Sequence, residues 1–296
     1  MTGAGSGMAR DDPAGPAGVI HDIGYQRYQG PRLGRSYAAR SLYGHSLRTA
    51  YGLGRSAKAK IFPWLVVAIL VAVAAVVAAI RAIIGQTVMG YDQFPDSVVL
   101  LVVLFCAVVA PELVSRDLHS GVLPLYFSRP LRRGDYAMAK LAALVSAVWL
   151  LLAGPQLLMF AAGAFTVDGP AEVWDELTDF AAGVAYSAVP ALVFGSLALL
   201  VASLVSRRAV AAAIIVGVFI VTTPVVGFLN AVGGASAAQL SFLASPMTLV
   251  AGIRQFLFGG AGMDIGDYGP VYAATAAALV VACTVLVLVR YRRVAR

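Results

Sequence analysis

Six long apolar runs constrain this chain more than any other feature of its sequence. The runs occupy about residues 61–84, 97–114, 136–166, 180–205, 209–231 and 270–289. A helix needs about 20 apolar residues to cross the hydrocarbon core of a bilayer. The runs therefore predict an all-α integral membrane protein with six transmembrane helices.

The overall composition points the same way. Hydrophobic residues make up 60% of the 296 positions, and charged residues only 12%. Soluble domains carry roughly a quarter charged residues, so this chain has too little polar surface to cover a water-facing globule. Cys106 and Cys283 lie inside apolar runs and are interpreted as buried hydrophobic residues.

The basic residues indicate which side of the membrane each connection occupies. Of the 22 lysines and arginines, 20 fall before the first run, between runs two and three or just inside the start of run three (Lys140), between runs four and five, or after the last. The intervening connections are acidic, and 167–179 has five acids and no base. Cytoplasmic connections are enriched in Lys and Arg, so both termini are predicted to face the cytoplasm. The net charge of +7 is thus a topology signal, and no nucleic-acid partner is expected.

Three further segments lie on the cytoplasmic side. Residues 1–35 are rich in Gly, Pro, Asp and Arg, which is typical of a disordered terminus. Residues 36–60 combine basic side chains with Tyr43, Leu47 and Tyr51 at four-residue spacing. This pattern predicts an amphipathic helix in the headgroup layer, with a loosely bound basic arm as the alternative. Residues 291–296 form a basic tail.

A short apolar helix is predicted on the outer side, between runs five and six. It covers Pro246–Phe258, with Ser245 as its cap and Gly259 and Gly260 ending it. At 13 residues it is too short to cross the membrane, so we expect it to re-enter the membrane or lie in the interface. It either gates an exit path or caps the bundle, and Arg254 is expected on its wetter side. The gate candidates are Ile253, Arg254, Phe256 and Phe258.

The sequence contains no pattern typical of catalysis or metal binding. The three histidines, His21, His45 and His119, lack metal-ligand spacing, and no phosphate-binding loop of the GxxxxGK[ST] type is present. No catalytic residue or metal ligand is therefore predicted, and the chain is not expected to hydrolyse ATP alone. Glu112 and Arg116, four residues apart at the end of run two, are interpreted as a structural ion pair.

The connection between runs two and three, residues 115–135, is longer and more polar than a simple turn requires. It carries acids, bases, Gly121, two prolines and a short apolar segment, Val122–Phe127, that could make a helix. One interpretation is a basic loop lying on anionic lipid. The other is a docking helix for a cytoplasmic partner, with charges that set the register around an apolar contact.

This 115–135 connection and its flanks resemble the signature of ABC-2 type permeases, the membrane subunits of type-2 ABC exporters. The matching elements are Glu112, Arg116-Asp117, Gly121-Val122-Leu123, Ser128-Arg129-Pro130, Arg132-Arg133 and Lys140. Together with the predicted architecture, the resemblance extends over roughly residues 36–292. Residues 1–35 lie outside it.

The resemblance implies a transport subunit of the bacterial cytoplasmic membrane, without an ATPase site of its own. Two permease copies, identical or related, pair with each other, and each rests on a separate ABC ATPase subunit that binds ATP and Mg²⁺. This chain itself binds no cofactor. The 115–135 connection acts as the coupling helix seated on that ATPase. The implied coupling residues are Arg116, Asp117, His119, Gly121, Leu123, Tyr126, Arg129, Pro130, Arg132 and Arg133.

The low polarity of the runs favours a hydrophobic or amphiphilic cargo, such as a drug, lipid or peptide. Two other classes of function stay open on the residues alone. One is a membrane-embedded enzyme or assembly factor whose basic loop contacts membrane lipids or a non-ATPase partner. The other is a secondary transporter, although such carriers usually place acids near the membrane midplane.

Overall fold

A computed structural model describes residues 30, 33–54, 56–115, 117, 131–167, 169–260 and 262–293. These residues are almost entirely helical, and they contain no β-strand. The predicted disordered segment 1–35 lies almost wholly outside the described residues. So does the central part of the 115–135 connection, from 118 to 130.

Eleven α-helices are found among the described residues. They are α1 (Arg35–Ala50), α2 (Ala57–Ile84), α3 (Phe94–Ser97), α4 (Val99–Leu113), α5 (Arg133–Ala164), α6 (Pro170–Tyr186), α7 (Ala188–Leu204), α8 (Arg208–Val232), α9 (Ala235–Ser241), α10 (Pro246–Phe258) and α11 (Gly269–Arg293).

Five helical segments are long and apolar enough to cross a membrane. They are α2, α5, α8, the 35-residue segment Pro170–Leu204 in which α7 directly continues α6, and α11 together with the short turn before it. A helix satisfies its backbone hydrogen bonds internally, which the bilayer core requires. The chain is therefore an α-helical, multi-pass membrane protein, as the apolar runs predicted.

Helix α4 is shorter than these five but more deeply buried. It has 15 residues, and nine of them are buried, among them Phe105, Cys106 and Val109. It contacts α7, α8, α5 and α1, which places it inside the bundle. Cys106 and Cys283 are free and buried, which confirms their interpretation as hydrophobic residues.

Helix α10 has the bounds that the sequence predicted, and the glycines that follow it have positive φ angles of 68° and 88°. Together with α9 and the turn that follows, it forms a helical pair bent by 118°. Ser245 occupies the N-cap position, as predicted. Ser245 makes no cap hydrogen bond, and its hydroxyl instead accepts one from Thr222 Oγ1 at 3.0 Å.

Helix α1 packs against α5 through the face that the sequence had assigned to the headgroup layer. The Tyr43 hydroxyl donates to Ser146 Oγ at 3.0 Å, and the Tyr51 hydroxyl donates to the Ala147 carbonyl at 2.7 Å. Burial raises the pKa of Tyr51, which stays a neutral donor. The helix ends at Ala50, because Gly52 turns the chain with φ of 69° where a Cβ would lie 2.7 Å from the Ala59 carbonyl.

Candidate functional site

Asp117 lies in a buried polar cluster where the 115–135 connection leaves the bundle. Its Oδ2 atom accepts a hydrogen bond from the Tyr136 hydroxyl at 2.7 Å and lies 3.0 Å from Lys140 Nζ. Lys140 is only 5% exposed, and its ammonium lies 5.4 Å from the centre of the Tyr136 ring. A lysine this deeply buried requires a nearby carboxylate, so the pairing holds Asp117 firmly against α5.

The same cluster reaches the last helix. The rings of Tyr136 and Tyr291 lie 5.2 Å apart, and both side chains are almost fully buried. The Ser115 hydroxyl also donates to the Ala202 carbonyl of α7 at 2.9 Å. The first residues of the connection are therefore fixed to α5 and α7 and, through Tyr136, to α11. We call Asp117, Tyr136, Lys140 and Tyr291 the Asp117 cluster.

The far end of the connection is anchored as well. Asp135, in the first turn of α5, accepts from Nε and Nη2 of Arg35, both at 2.5 Å, and from the backbone N–H of Arg132 at 3.1 Å. A guanidinium that contacts both oxygens of one carboxylate fixes distance and orientation together. Arg133 donates to the carbonyl of Arg292 at 2.9 Å. This end thus joins α5 to α1 and to α11.

Three of the predicted coupling residues, Asp117, Arg132 and Arg133, lie at these two anchored ends. The other predicted coupling residues lie outside the described residues, and their role stays a prediction. They are Arg116, His119, Gly121, Leu123, Tyr126, Arg129 and Pro130.

Glu112 forms an ion pair with a partner that the sequence reasoning missed. Its Oε2 lies 2.5 Å from Arg208 Nη1, which joins the end of α4 to the start of α8. The predicted partner, Arg116, lies outside the described residues, so that pairing stays a prediction. Arg208 was assigned to the same side of the membrane as Glu112, which is the one sequence feature that suggested this pair. Sequence spacing alone does not show which helices contact each other.

On the side of the bundle that the charge pattern assigns to the outside, Arg254 of α10 contacts two acids in the segment before α4. Its Nε lies 2.7 Å from Asp96 Oδ2 and its Nη1 lies 3.4 Å from Asp92 Oδ2. The Tyr186 hydroxyl donates to the other oxygen of Asp96 at 3.0 Å. We call these four residues the Arg254 cluster.

The Arg254 side chain faces the bundle, and the expectation about which side of its helix is wetter stays a prediction. This side chain is only 12% exposed, because the two aspartates draw it towards the bundle. Ile253 is also buried, whereas Phe256 and Phe258 are exposed. Phe258 nevertheless packs edge-on against Tyr186, with ring centres 5.8 Å apart. Whether these residues gate an exit path stays a prediction.

A third cluster, around Arg81 near the end of α2, was missed from the sequence. Its Nη1 and Nη2 atoms lie 2.6 and 2.7 Å from the two carboxylate oxygens of Glu176 in α6. The Tyr91 hydroxyl donates to the same carboxylate, and the pKa of this tyrosine is raised by burial and by Glu176. Gly163 provides the space, since a Cβ there would lie 2.6 Å from Glu176 Oε1. Arg81, Tyr91 and Glu176 form the Arg81 cluster.

A signal for this pairing existed in the sequence. Arg81 is the single base near the outer end of its span, and the acidic 167–179 connection was assigned to the same side. The structure begins α6 at Pro170, so most of those acids lie on the first turns of a helix rather than in a loop.

The arrangement supplies anchoring between helices. Among the described residues, no three His, Cys, Asp or Glu side chains gather closely enough to hold a metal ion. The chain matches no protein-family model, and no curated protein is significantly similar to it.

Proposed function

We propose that this chain is the permease subunit of an ATP-driven ABC exporter. In this proposal it pairs with a second permease copy in the bacterial cytoplasmic membrane and is driven by a separate ATPase subunit. The ATPase sits on the 115–135 connection. The observation that carries the proposal is the anchoring of both ends of this connection to α1, α5, α7 and α11 by buried or bidentate polar contacts.

The proposal uses six spans, with both termini in the cytoplasm. Five helical segments meet the length and composition of a span, and α4 supplies the sixth. Its 15 residues are extended by the turn of α3 directly before it, so the pair covers Phe94 to Leu113. Twenty helical residues span about 30 Å, the thickness of the hydrocarbon core. The bent pair of α9 and α10 then re-enters from the outer side, in agreement with the alternating charges.

The 115–135 connection is suited to coupling because it can transmit force from the ATPase to the helices. A connection that only turns the chain needs no buried charge, and placing Lys140 inside the bundle has a large desolvation cost. With Asp117 as its partner, a displacement of the connection moves α5 directly. Because Arg133 contacts the backbone of Arg292, the same displacement also acts on α11. Rigid helices with discrete packing are the elements that carry such coupling.

The cargo in this proposal is hydrophobic or amphiphilic. Helices α2, α8 and α11 expose many large apolar side chains, including Trp64, Val221 and Phe228. Such faces contact lipid tails or the second permease copy, and a path between two apolar faces suits a lipid-like molecule. In this proposal the exposed Phe256 and Phe258, at the end of α10, line the outer end of that path.

Purification from native membranes tests the proposal. The tagged full chain should retain a stoichiometric soluble protein that carries a phosphate-binding loop and hydrolyses ATP. A membrane enzyme, an assembly factor or a secondary transporter has no need of such a subunit. Its repeated absence, under conditions where the chain stays folded, would contradict the proposal.

A further inference from the structure

An open, basic cavity lies where α1 and α5 begin and α11 ends. Its volume is about 560 Å³, and it is lined by Arg35, Leu131, Arg132, Arg133, Gly134 and Arg292. A second groove of about 480 Å³ continues past Arg35 along Ser36, Ala39 and Asp135. The three helix ends together bring four guanidinium groups to one recess.

Two of the arginines at this cavity lack a balancing acid among the described residues. Asp135 is the one carboxylate among the described lining residues of the cavity and its groove, and it already accepts two hydrogen bonds from Arg35 and one from the Arg132 backbone. Within the described part of the chain, neither Arg132 nor Arg292 forms an ion pair through its side chain. These two arginines, gathered at one recess without a matching acid among the described residues, attract an anion.

The residue type indicates which anion is suited to the cavity. All four basic groups are arginines, whose planar forks match the oxygens of a phosphate group, and lysine offers no such fork. Leu131, which is buried, adds an apolar side to the recess. A phosphate ester attached to an apolar or glycerol-like group matches both features.

The position of the cavity favours a lipid as the source of that phosphate. The apolar part of α5 starts just after Asp135, and that of α11 stops just before Arg290, so the recess lies where two spans meet the aqueous phase. The charge pattern assigns this side to the cytoplasm, where the membrane surface carries acidic phospholipids.

We propose that this cavity binds the phosphate group of an anionic phospholipid headgroup at the cytoplasmic surface. The same chemistry would admit a soluble phosphate ester, and the experiment below separates the two sources. The inference goes beyond the transport proposal, since it requires the membrane orientation but no ATPase. An acidic surface on a partner protein is the competing occupant, and the apolar Leu131 wall at the level of the span ends argues against it.

The test uses the purified full chain in detergent and three defined probes. They are dioctanoyl phosphatidylglycerol, dioctanoyl phosphatidylcholine and glycerol 3-phosphate, each titrated and followed by native mass spectrometry. The double variant Arg132→Gln with Arg292→Gln removes two cavity cations. The matched control, Arg40→Gln with Arg207→Gln, removes two exposed arginines that do not line the cavity.

The wild-type chain and the control should bind phosphatidylglycerol about tenfold more tightly than phosphatidylcholine. The cavity variant should lose about tenfold in affinity, because charge-assisted contacts to the headgroup are removed. Binding of phosphatidylglycerol should also raise the melting temperature of the wild type more than that of the cavity variant, since a ligand of the native state stabilises it.

The outcomes distinguish a lipid headgroup from a soluble phosphate ester and from an acidic partner protein. If glycerol 3-phosphate binds as tightly as the lipid and needs the same arginines, the cavity takes phosphate esters in general. Equal binding of the two lipids would overturn the proposal. So would equal losses in the two variants, or retention of a co-purified acidic protein by wild type alone with no lipid preference. A melting curve for each variant without ligand shows that it is folded before titration.

Discussion

The ion pairs on the side that the charge pattern assigns to the outside are all largely buried, whereas those on the side that it assigns to the cytoplasm differ widely in exposure. We call these the outer and the cytoplasmic side. In the outer clusters, the Arg81 and Arg254 side chains are 17% and 12% exposed, and each pairs with acids from a neighbouring segment. On the cytoplasmic side the pairs range from the buried Lys140 to Arg208, whose side chain is 51% exposed.

The difference distinguishes ion pairs that only hold helices together from charged groups that can also contact a ligand or a partner protein. The outer clusters hold α2 to α6 and α10 to α3, and their members are satisfied within the fold. The cytoplasmic contacts lie around the 115–135 connection and leave arginines facing an open cavity. We therefore expect outer substitutions to act mainly on stability and cytoplasmic substitutions to act also on binding and coupling.

The largest effect on stability is expected for Glu176→Ala. This change leaves the Arg81 guanidinium buried without its carboxylate, so the free energy of unfolding should fall by about 3–5 kcal/mol. Replacing both partners, in the double variant Arg81→Met with Glu176→Leu, should recover most of the loss, because no charge is then left unpaired. Denaturant unfolding in detergent measures both variants, and a double variant as unstable as the single one would rule out this explanation.

A loss of about 2 kcal/mol is expected for Arg254→Gln. Its partners Asp96 and Asp92 are about one fifth exposed, so water can partly compensate their lost hydrogen bonds to a charged group. The bent pair of α9 and α10 should loosen at the same time. Hydrogen exchange over Pro246–Phe258 would detect this, and unchanged protection there would show that Arg254 does not hold the helix.

The cytoplasmic counterpart, Asp117→Asn, should lower stability by about 1–3 kcal/mol, since Lys140 keeps a hydrogen-bond acceptor but loses its counter-ion. Unlike the outer variants, it should also separate ATP hydrolysis from transport in the complex with the ATPase. We expect hydrolysis to persist while transport falls by about tenfold. A variant in which both rates fall in proportion would remove Asp117 from the coupling route.

The smallest effect is expected for Arg208→Gln. Half of the Arg208 side chain is in solvent, and exposed ion pairs contribute about 0–1 kcal/mol. The same Arg→Gln change at the buried position 254 provides the matched comparison. Equal losses at the two positions would contradict the distinction between the closed outer clusters and the open cytoplasmic contacts.

The helical class and the main features along the chain could be predicted from the sequence, because hydropathy and glycine positions act locally. The apolar runs and the bounds of α10 are examples. The pairings could not, because Arg81 lies 95 residues from Glu176, and Arg254 lies 158 residues from Asp96. Which charges meet depends on how the helices pack. For the same reason, the sequence could not show that the Tyr43 face of α1 contacts α5 rather than lipid.

Site-specific photo-crosslinking in native membranes tests the central claim most directly. A benzophenone side chain would replace Tyr126 in the 115–135 connection, with Trp174, an exposed side chain at the acidic start of α6, as the matched outer control. Crosslinking at position 126 to an ATPase with a phosphate-binding loop, and none at position 174, is the predicted result. No ATPase at position 126, or the same ATPase at both positions, would contradict the account.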